Sequence, residues 1–158
     1  MRTKGMAMSA RARFVATSTI TPVVGYRLPA DVRSVGWARR ELRRQLRAWR
    51  VGGEVAANAE LLVSELVTNA VRAHAAWAVP APAIGVRFTL SGDRLRLEVR
   101  DVSDGVPVIN EAKGNGEVSE CGRGLMLVNA LASGWGVEWG VTGKVVWAEL
   151  MPPAPGTS

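Results

Sequence analysis

The sequence has little of what marks secreted or membrane-spanning proteins. Its 158 residues include one cysteine, Cys121, so an internal disulfide framework is excluded and a reducing, cytoplasmic setting is expected. No apolar run approaches the roughly 20 residues that a membrane-spanning helix needs, so no membrane partner is expected. The first 30 residues contain no acid, but Pro22 and several hydroxyl residues interrupt their one mildly apolar stretch. A disordered tail is therefore favoured over a secretory signal.

What is present is typical of one globular domain. Hydrophobic residues make up 47% of the chain and charged residues 22%, which leaves enough apolar surface to form a core. The net charge of +6 is carried mainly by arginine, so a nucleic acid or an acidic protein surface has to be considered as a partner.

Hydrophobic periodicity predicts three helices. The first covers residues 31–50 and begins at Asp31, whose carboxylate can cap free amide groups. The third covers residues 125–133. The second covers 54–75 and carries an apolar stripe at helical spacing, made up of Ala59, Leu62, Val63, Leu66 and Ala70.

Alternation of apolar and polar residues predicts a hairpin over 84–90 and 95–100, and two closing strands over 135–139 and 144–150. A further strand is expected at the start of the domain. Because a hairpin cannot bury its apolar face alone, helices must cover it. The expected fold class is α/β (α+β): a two-layer sandwich with a mixed, largely antiparallel sheet that three helices cover on one face.

The domain is expected over residues 23–151, between tails at 1–22 and 152–158 that are predicted to be disordered. Residues 102–121 lack any periodicity and are rich in glycine. A loop of this length is uncommon inside a compact domain, and this indicates a functional segment.

The first candidate motif lies on the second helix, where Glu65 and Asn69 are four residues apart. Residues at this spacing project from the same face, here the one opposite the apolar stripe. A carboxylate and an amide oxygen placed so can hold a hydrated Mg²⁺ and orient a hydroxyl group or a water molecule. Taken alone, the pair is more typical of the solvated edge of an amphipathic helix.

The second motif, Asp101-Val102-Ser103-Asp104-Gly105, follows a strand. A carboxylate at a strand end can accept a hydrogen bond from an adenine amino group, and Gly105 would permit close approach of the ring. The third motif, Gly122-Arg123-Gly124-Leu125, leads into the last helix. Glycines there would leave the first amides of the helix facing an anion. A plain turn and an ordinary helix start remain the alternatives.

The order of the three motifs is more specific than any one of them. ELVTNA resembles the N box of GHKL (Bergerat-fold) ATP-binding domains, DVSDG the G1 box and GRGLMLV the G2 box. The closing WGVEWGVTGKVVWAEL is similar to the end of RsbW-like anti-sigma-factor serine/threonine kinases of the actinobacterial type. The resemblance covers about residues 25–150.

The resemblance implies a role for each position. Glu65 would be the general base, and Asn69 would be the Mg²⁺ ligand. Asp101 and Gly105 would bind adenine, with residues 106–121 as the lid over ATP. The phosphate side would be formed by Gly122, Arg123, Gly124 and Leu125. The cofactors implied are ATP and Mg²⁺.

Three positions depart from the family pattern. The basic residue that often stands four after the N-box asparagine is replaced by Ala73, and His74 follows one residue later. Because one residue along a helix is a rotation of about 100°, His74 is predicted to miss the site. The central G1 glycine is Ser103, and the lid carries Lys113 as its only cation, which leaves the phosphates mainly to Arg123.

The function implied is that of an anti-sigma factor which phosphorylates an anti-anti-sigma (STAS) partner on serine or threonine and holds a sigma factor as its other partner; a homodimer is compatible with this. One alternative is a non-catalytic, ATP-dependent protein-binding switch. The other is a basic nucleic-acid-binding protein, since seven arginines lie on the first helix. No recognised DNA-binding motif accompanies those arginines, so direct binding of nucleic acid is not favoured.

Overall fold

The computed structural model describes residues 21–75, 83–101, 120–141 and 143–152. Within these ranges the chain forms three helices and five strands. In chain order they are β1 (Val23–Pro29), α1 (Arg33–Ala48), α2 (Gly53–Ala75), β2 (Ala83–Ser91), β3 (Arg94–Asp101), α3 (Glu120–Leu131), β4 (Gly134–Trp139) and β5 (Lys144–Leu150). The elements fit the predicted fold class, an α+β sandwich.

The five strands form one sheet in the order β1-β2-β3-β5-β4. All four pairings are antiparallel, so no parallel pair of the expected mixed sheet is found among the described strands. The reason lies in the order of the strands. β3 and β4 run in the same direction, as strands joined through a helix commonly do, but β5 lies between them and is antiparallel to both.

The helices cover one face of the sheet, which we call the inner face. α2 contacts β2, β3 and β5, while α1 packs on α2 and α3 packs on both α2 and β4. The predicted stripe of α2 is buried throughout, and its leucines share the core with Phe88 of β2 and Leu97 of β3. Because alternate residues of a strand point to opposite sides, the intervening residues of β2 and β3 form a separate, outer face.

The first two helices begin and end within two residues of their predicted bounds. Val32 is the N-cap residue of α1 and provides no side-chain cap, but the Asp31 carboxylate accepts a hydrogen bond from the free amide of Arg33, the first residue of the helix, at 2.8 Å. The third helix differs: it begins at Glu120, five residues before the predicted start. The sequence analysis places the glycine pair at 122 and 124 before the helix, whereas both glycines lie within it. A glycine in a helix costs only about 1 kcal/mol relative to alanine, and packing of the later turns around buried Val128 can offset that cost.

Adjacent leucines of α2 offer a test of this packing. Leu62 is fully buried, whereas Leu61 is 49% exposed. Leu62→Ala is expected to lower the free energy of unfolding by roughly 2–5 kcal/mol, because it leaves a cavity between the helix and the sheet. Leu61→Ala is the matched control and should change it by no more than about 0.5 kcal/mol. Equal losses in chemical denaturation would contradict the orientation of α2, in which Leu62 faces the sheet and Leu61 faces solvent.

Candidate functional site

The first motif lies on α2 beside the buried stripe. Glu65 and Asn69 are both half-buried, one helical turn apart, while their neighbours Leu66 and Ala70 are buried. Both side chains therefore stand at the edge of the stripe, closer to the core than the fully solvated face expected from the spacing. An acid at such an edge remains reachable by a ligand and is partly shielded from water.

The second motif begins where β3 ends. Asp101 is the last residue of the strand and shares its parity with Leu97 and Val99, so its side chain points to the inner face. It is only 2% exposed. Burying a carboxylate without partners is costly, so its surroundings must compensate for the charge.

Lys144 provides that compensation, and the sequence analysis missed it. It is the first residue of β5 and the cross-strand neighbour of Asp101. Its Nζ lies 3.8 Å from Asp101 Oδ2, and the Lys144 side chain is 4% exposed. The same ammonium group is 5.8 Å from the centre of the Trp139 ring. A signal was available, since Lys144 has the parity of Val146, Ala148 and Leu150 and so had to face inward.

The third motif is described only as backbone. Gly122, Arg123, Gly124 and Leu125 lie in the first half of α3, inside the helix and not before it as expected. The side chains of this motif and of His74 lie outside the described part of the structure. The same holds for Gly105 and for the predicted lid up to residue 119. What the structure adds is the placement of elements: α2 contacts both β3, which ends in Asp101, and α3. The elements that carry the three motifs are thus neighbours around α2.

The described residues are compatible with ATP and a weakly held metal. The Asp101 carboxylate is a hydrogen-bond acceptor suited to an exocyclic amino group, and its burial excludes competing water. Across the described ranges there is no group of three or more His, Cys, Asp or Glu side chains that could hold a metal ion. A Mg²⁺ ion would therefore depend on Asn69 and on phosphate oxygens, as is usual for this ion. No helix among the described residues is long and apolar enough to cross a membrane.

The Asp101–Lys144 pair makes a testable prediction about stability. Lys144→Met should lower the free energy of unfolding by roughly 3–5 kcal/mol, because it leaves a buried carboxylate without its cation. Adding Asp101→Asn to that variant should recover most of the loss. Arg94→Met is the control: it removes the positive charge from a solvent-accessible ion pair, in which Arg94 lies 3.8 Å from Glu149. It should lower the free energy of unfolding by at most about 1 kcal/mol. A double variant as unstable as Lys144→Met would show that charge is not the cause.

The chain is similar to a known protein family and to a solved protein domain. A family model described as a histidine kinase-like ATPase domain matches residues 28–150. A solved histidine kinase domain, from the blue-light activated histidine kinase of Erythrobacter litoralis EL346, is 24% identical with a TM-score of 0.48; the match covers 86% of this chain and 64% of that chain, less than two thirds of its length. No curated protein matches the chain.

The family match confirms the GHKL resemblance and supports ATP as the ligand, while the RsbW-like subfamily stays a prediction. Because the matched residues make up well over half of the sequence, the chain belongs to the histidine kinase-like ATPase domains.

Proposed function

We propose that this chain binds ATP with Mg²⁺ and transfers the γ-phosphoryl group to a serine or threonine of an anti-anti-sigma (STAS) protein, and that it holds a sigma factor as its other partner. The observation that carries the proposal is the buried Asp101 at the end of β3, next to the helix that bears Glu65 and Asn69. The motif order supports the kinase, because it resembles the RsbW-like pattern.

The chain's own residues would divide the work as phosphoryl transfer requires. Asp101 accepts the hydrogen bond of the adenine amino group and so fixes the base. Asn69 offers an amide oxygen to the metal, and Glu65 takes the proton of the acceptor hydroxyl as it attacks. Arg123 holds the terminal phosphate as a charged donor. Mg²⁺, when bound, neutralises phosphate charge. Positioning and electrostatics account for most of this reaction, so no covalent intermediate on the protein is needed.

Nucleotide binding is the first test. The double variant Asp101→Asn/Lys144→Met keeps the core neutral. Compared with the wild type, it should bind ATP about 10-fold to 100-fold more weakly, because a charge-assisted hydrogen bond to the adenine is lost. Asp93→Asn is the matched control: Asp93 lies exposed in the turn between β2 and β3, and its affinity should equal that of the wild type. Calorimetric titration with and without Mg²⁺ gives both values. Equal ATP affinities for the wild type, the double variant and Asp93→Asn would show that adenine does not bind at Asp101.

Phosphoryl transfer is the second test. Glu65→Gln should reduce labelling of a STAS protein by γ-labelled ATP about 100-fold or more, because the general base is lost, while ATP affinity stays unchanged. Glu54→Gln, an exposed acid in the first turn of the same helix, is the control. If the wild type binds ATP, labels no STAS protein and still releases a partner on binding ATP, the chain is a non-catalytic switch and the kinase proposal is wrong.

A further inference from the structure

The outer face of the sheet, on the side away from the helices, carries charged residues from all five strands. Most of them pair with each other. Arg87 lies 3.9 Å from Glu98, and Arg94 lies 3.8 Å from Glu149. Arg96 reaches three carboxylates, at 3.5 Å, 3.0 Å and 3.1 Å, on Glu98, Glu138 and Glu149. The three glutamates of this face are thus shared among three arginines.

Two arginines of the same face have no such partner. Arg27 on β1 and Arg100 on β3 are both exposed, and no carboxylate within the described part of the chain lies within 4 Å of either. They flank the same residue: Gly85 of β2 is the cross-strand neighbour of Arg27 on one side and of Arg100 on the other. Two unpaired guanidinium groups therefore stand on either side of a position without a side chain.

The missing side chains open a cavity. Gly25 and Gly85 leave a space of about 670 Å³ above the backbone of β1 and β2, with Arg27, Arg87 and Arg100 among its walls. A Cβ atom at Gly85 would have Arg100 Cβ as its nearest neighbour, at 3.4 Å, and one at Gly25 would meet only the Val86 carbonyl at 3.8 Å. The volume lies in the range of roughly 300–1,000 Å³ that small-ligand sites occupy.

At a third glycine of this face, a side chain of the protein itself fills the corresponding space. A Cβ atom at Gly136 of β4 would come within 2.9 Å of the Trp147 ring, so the indole covers that glycine. Arg96 in turn stacks on the same ring, with its guanidinium carbon 4.3 Å from the ring centre. These two side chains fill the space over Gly136, whereas the space over Gly25 and Gly85 is open.

We propose that the cavity over Gly25 and Gly85 is a binding site for a small organic anion, held between Arg27 and Arg100 through a carboxylate or phosphate group. Guanidinium groups bind both kinds of anion through paired N–H donors, and here two of them have no carboxylate within 4 Å among the described residues. Glu98 and Glu138 also line the cavity, and they would repel a continuous phosphate backbone. The ligand is therefore a compact anion and not a nucleic acid. The site lies on the opposite side of the sheet from Asp101 and does not depend on the proposed function.

The test is a titration of the ¹⁵N-labelled protein with citrate and, separately, with inorganic phosphate, without nucleotide or Mg²⁺. Saturable shifts are expected for the amides of residues 25–27, 85–87 and 98–100. Arg27→Ala and Arg100→Ala should each weaken binding about 10-fold, the effect of losing a charged hydrogen-bonding partner. Arg94→Ala removes the same charge from the same face outside the cavity and should leave the affinity within about 2-fold. The tighter of the two anions identifies the preferred group.

Gly85→Leu separates the cavity from the charge. Its side chain would occupy the space between the two arginines while both remain, so binding should be lost. The fold should tolerate the change, since Gly85 is not among the glycines with positive φ and glycine weakens a strand interior. Three results would overturn the proposal: no saturable shift, an equal loss in Arg94→Ala, or unchanged binding in Gly85→Leu with an unchanged melting temperature. Shifts of these amides that follow protein concentration and not anion would assign the face to a second copy of the chain.

Discussion

Both the core and the candidate nucleotide site depend on the orientation of α2, that is, on which of its side chains face the sheet. The apolar stripe of α2 faces β2, β3 and β5, and the buried side chains of these strands share one core with it. Once Leu62 and Leu66 are buried, the step of about 100° between residues leaves Glu65 and Asn69 at the edge of the stripe. A helix turned by one residue would expose the leucines or bury the acid. The packing of the core therefore determines where Glu65 and Asn69 lie on the surface of the helix.

The alternation of β3 keeps two kinds of charge apart. Arg100 and Asp101 are consecutive, yet one points to the outer face and the other to the inner face. On the outer face, exposed ion pairs such as Arg94–Glu149 contribute little to stability, because water screens them. On the inner face, Asp101 and Lys144 are nearly free of water, so their attraction is strong and its loss is costly. Loss of an ion pair should therefore cost little stability on the outer face of β3 and much more on its inner face.

Periodicity predicted the elements because it reports on burial directly. The spacing of Leu62 and Leu66, and the alternation around Phe88 and Leu97, are both consequences of facing one core. Contacts between distant strands are different, since they depend on strand order. The pairing of Asp101 with Lys144 and the cavity over Gly25 and Gly85 follow only once β5 is known to adjoin β3, and β1 to adjoin β2. The early start of α3 was missed for a local reason: glycine disfavours a helix by less than packing can restore.

The buried ion pair itself favours a ligand-binding role for the end of β3. Stability alone gives little reason for it, because replacing such a pair by well-packed apolar residues is often neutral or stabilising. The inner face of β3 and β5 is otherwise apolar, with Leu97, Val99 and Val146 buried alongside. An apolar residue in place of Asp101 could complete that core, but it could not accept a hydrogen bond from a nucleobase. Lys144 offsets the charge of the Asp101 carboxylate within the core, so the strand can end in a buried acid beside these apolar residues.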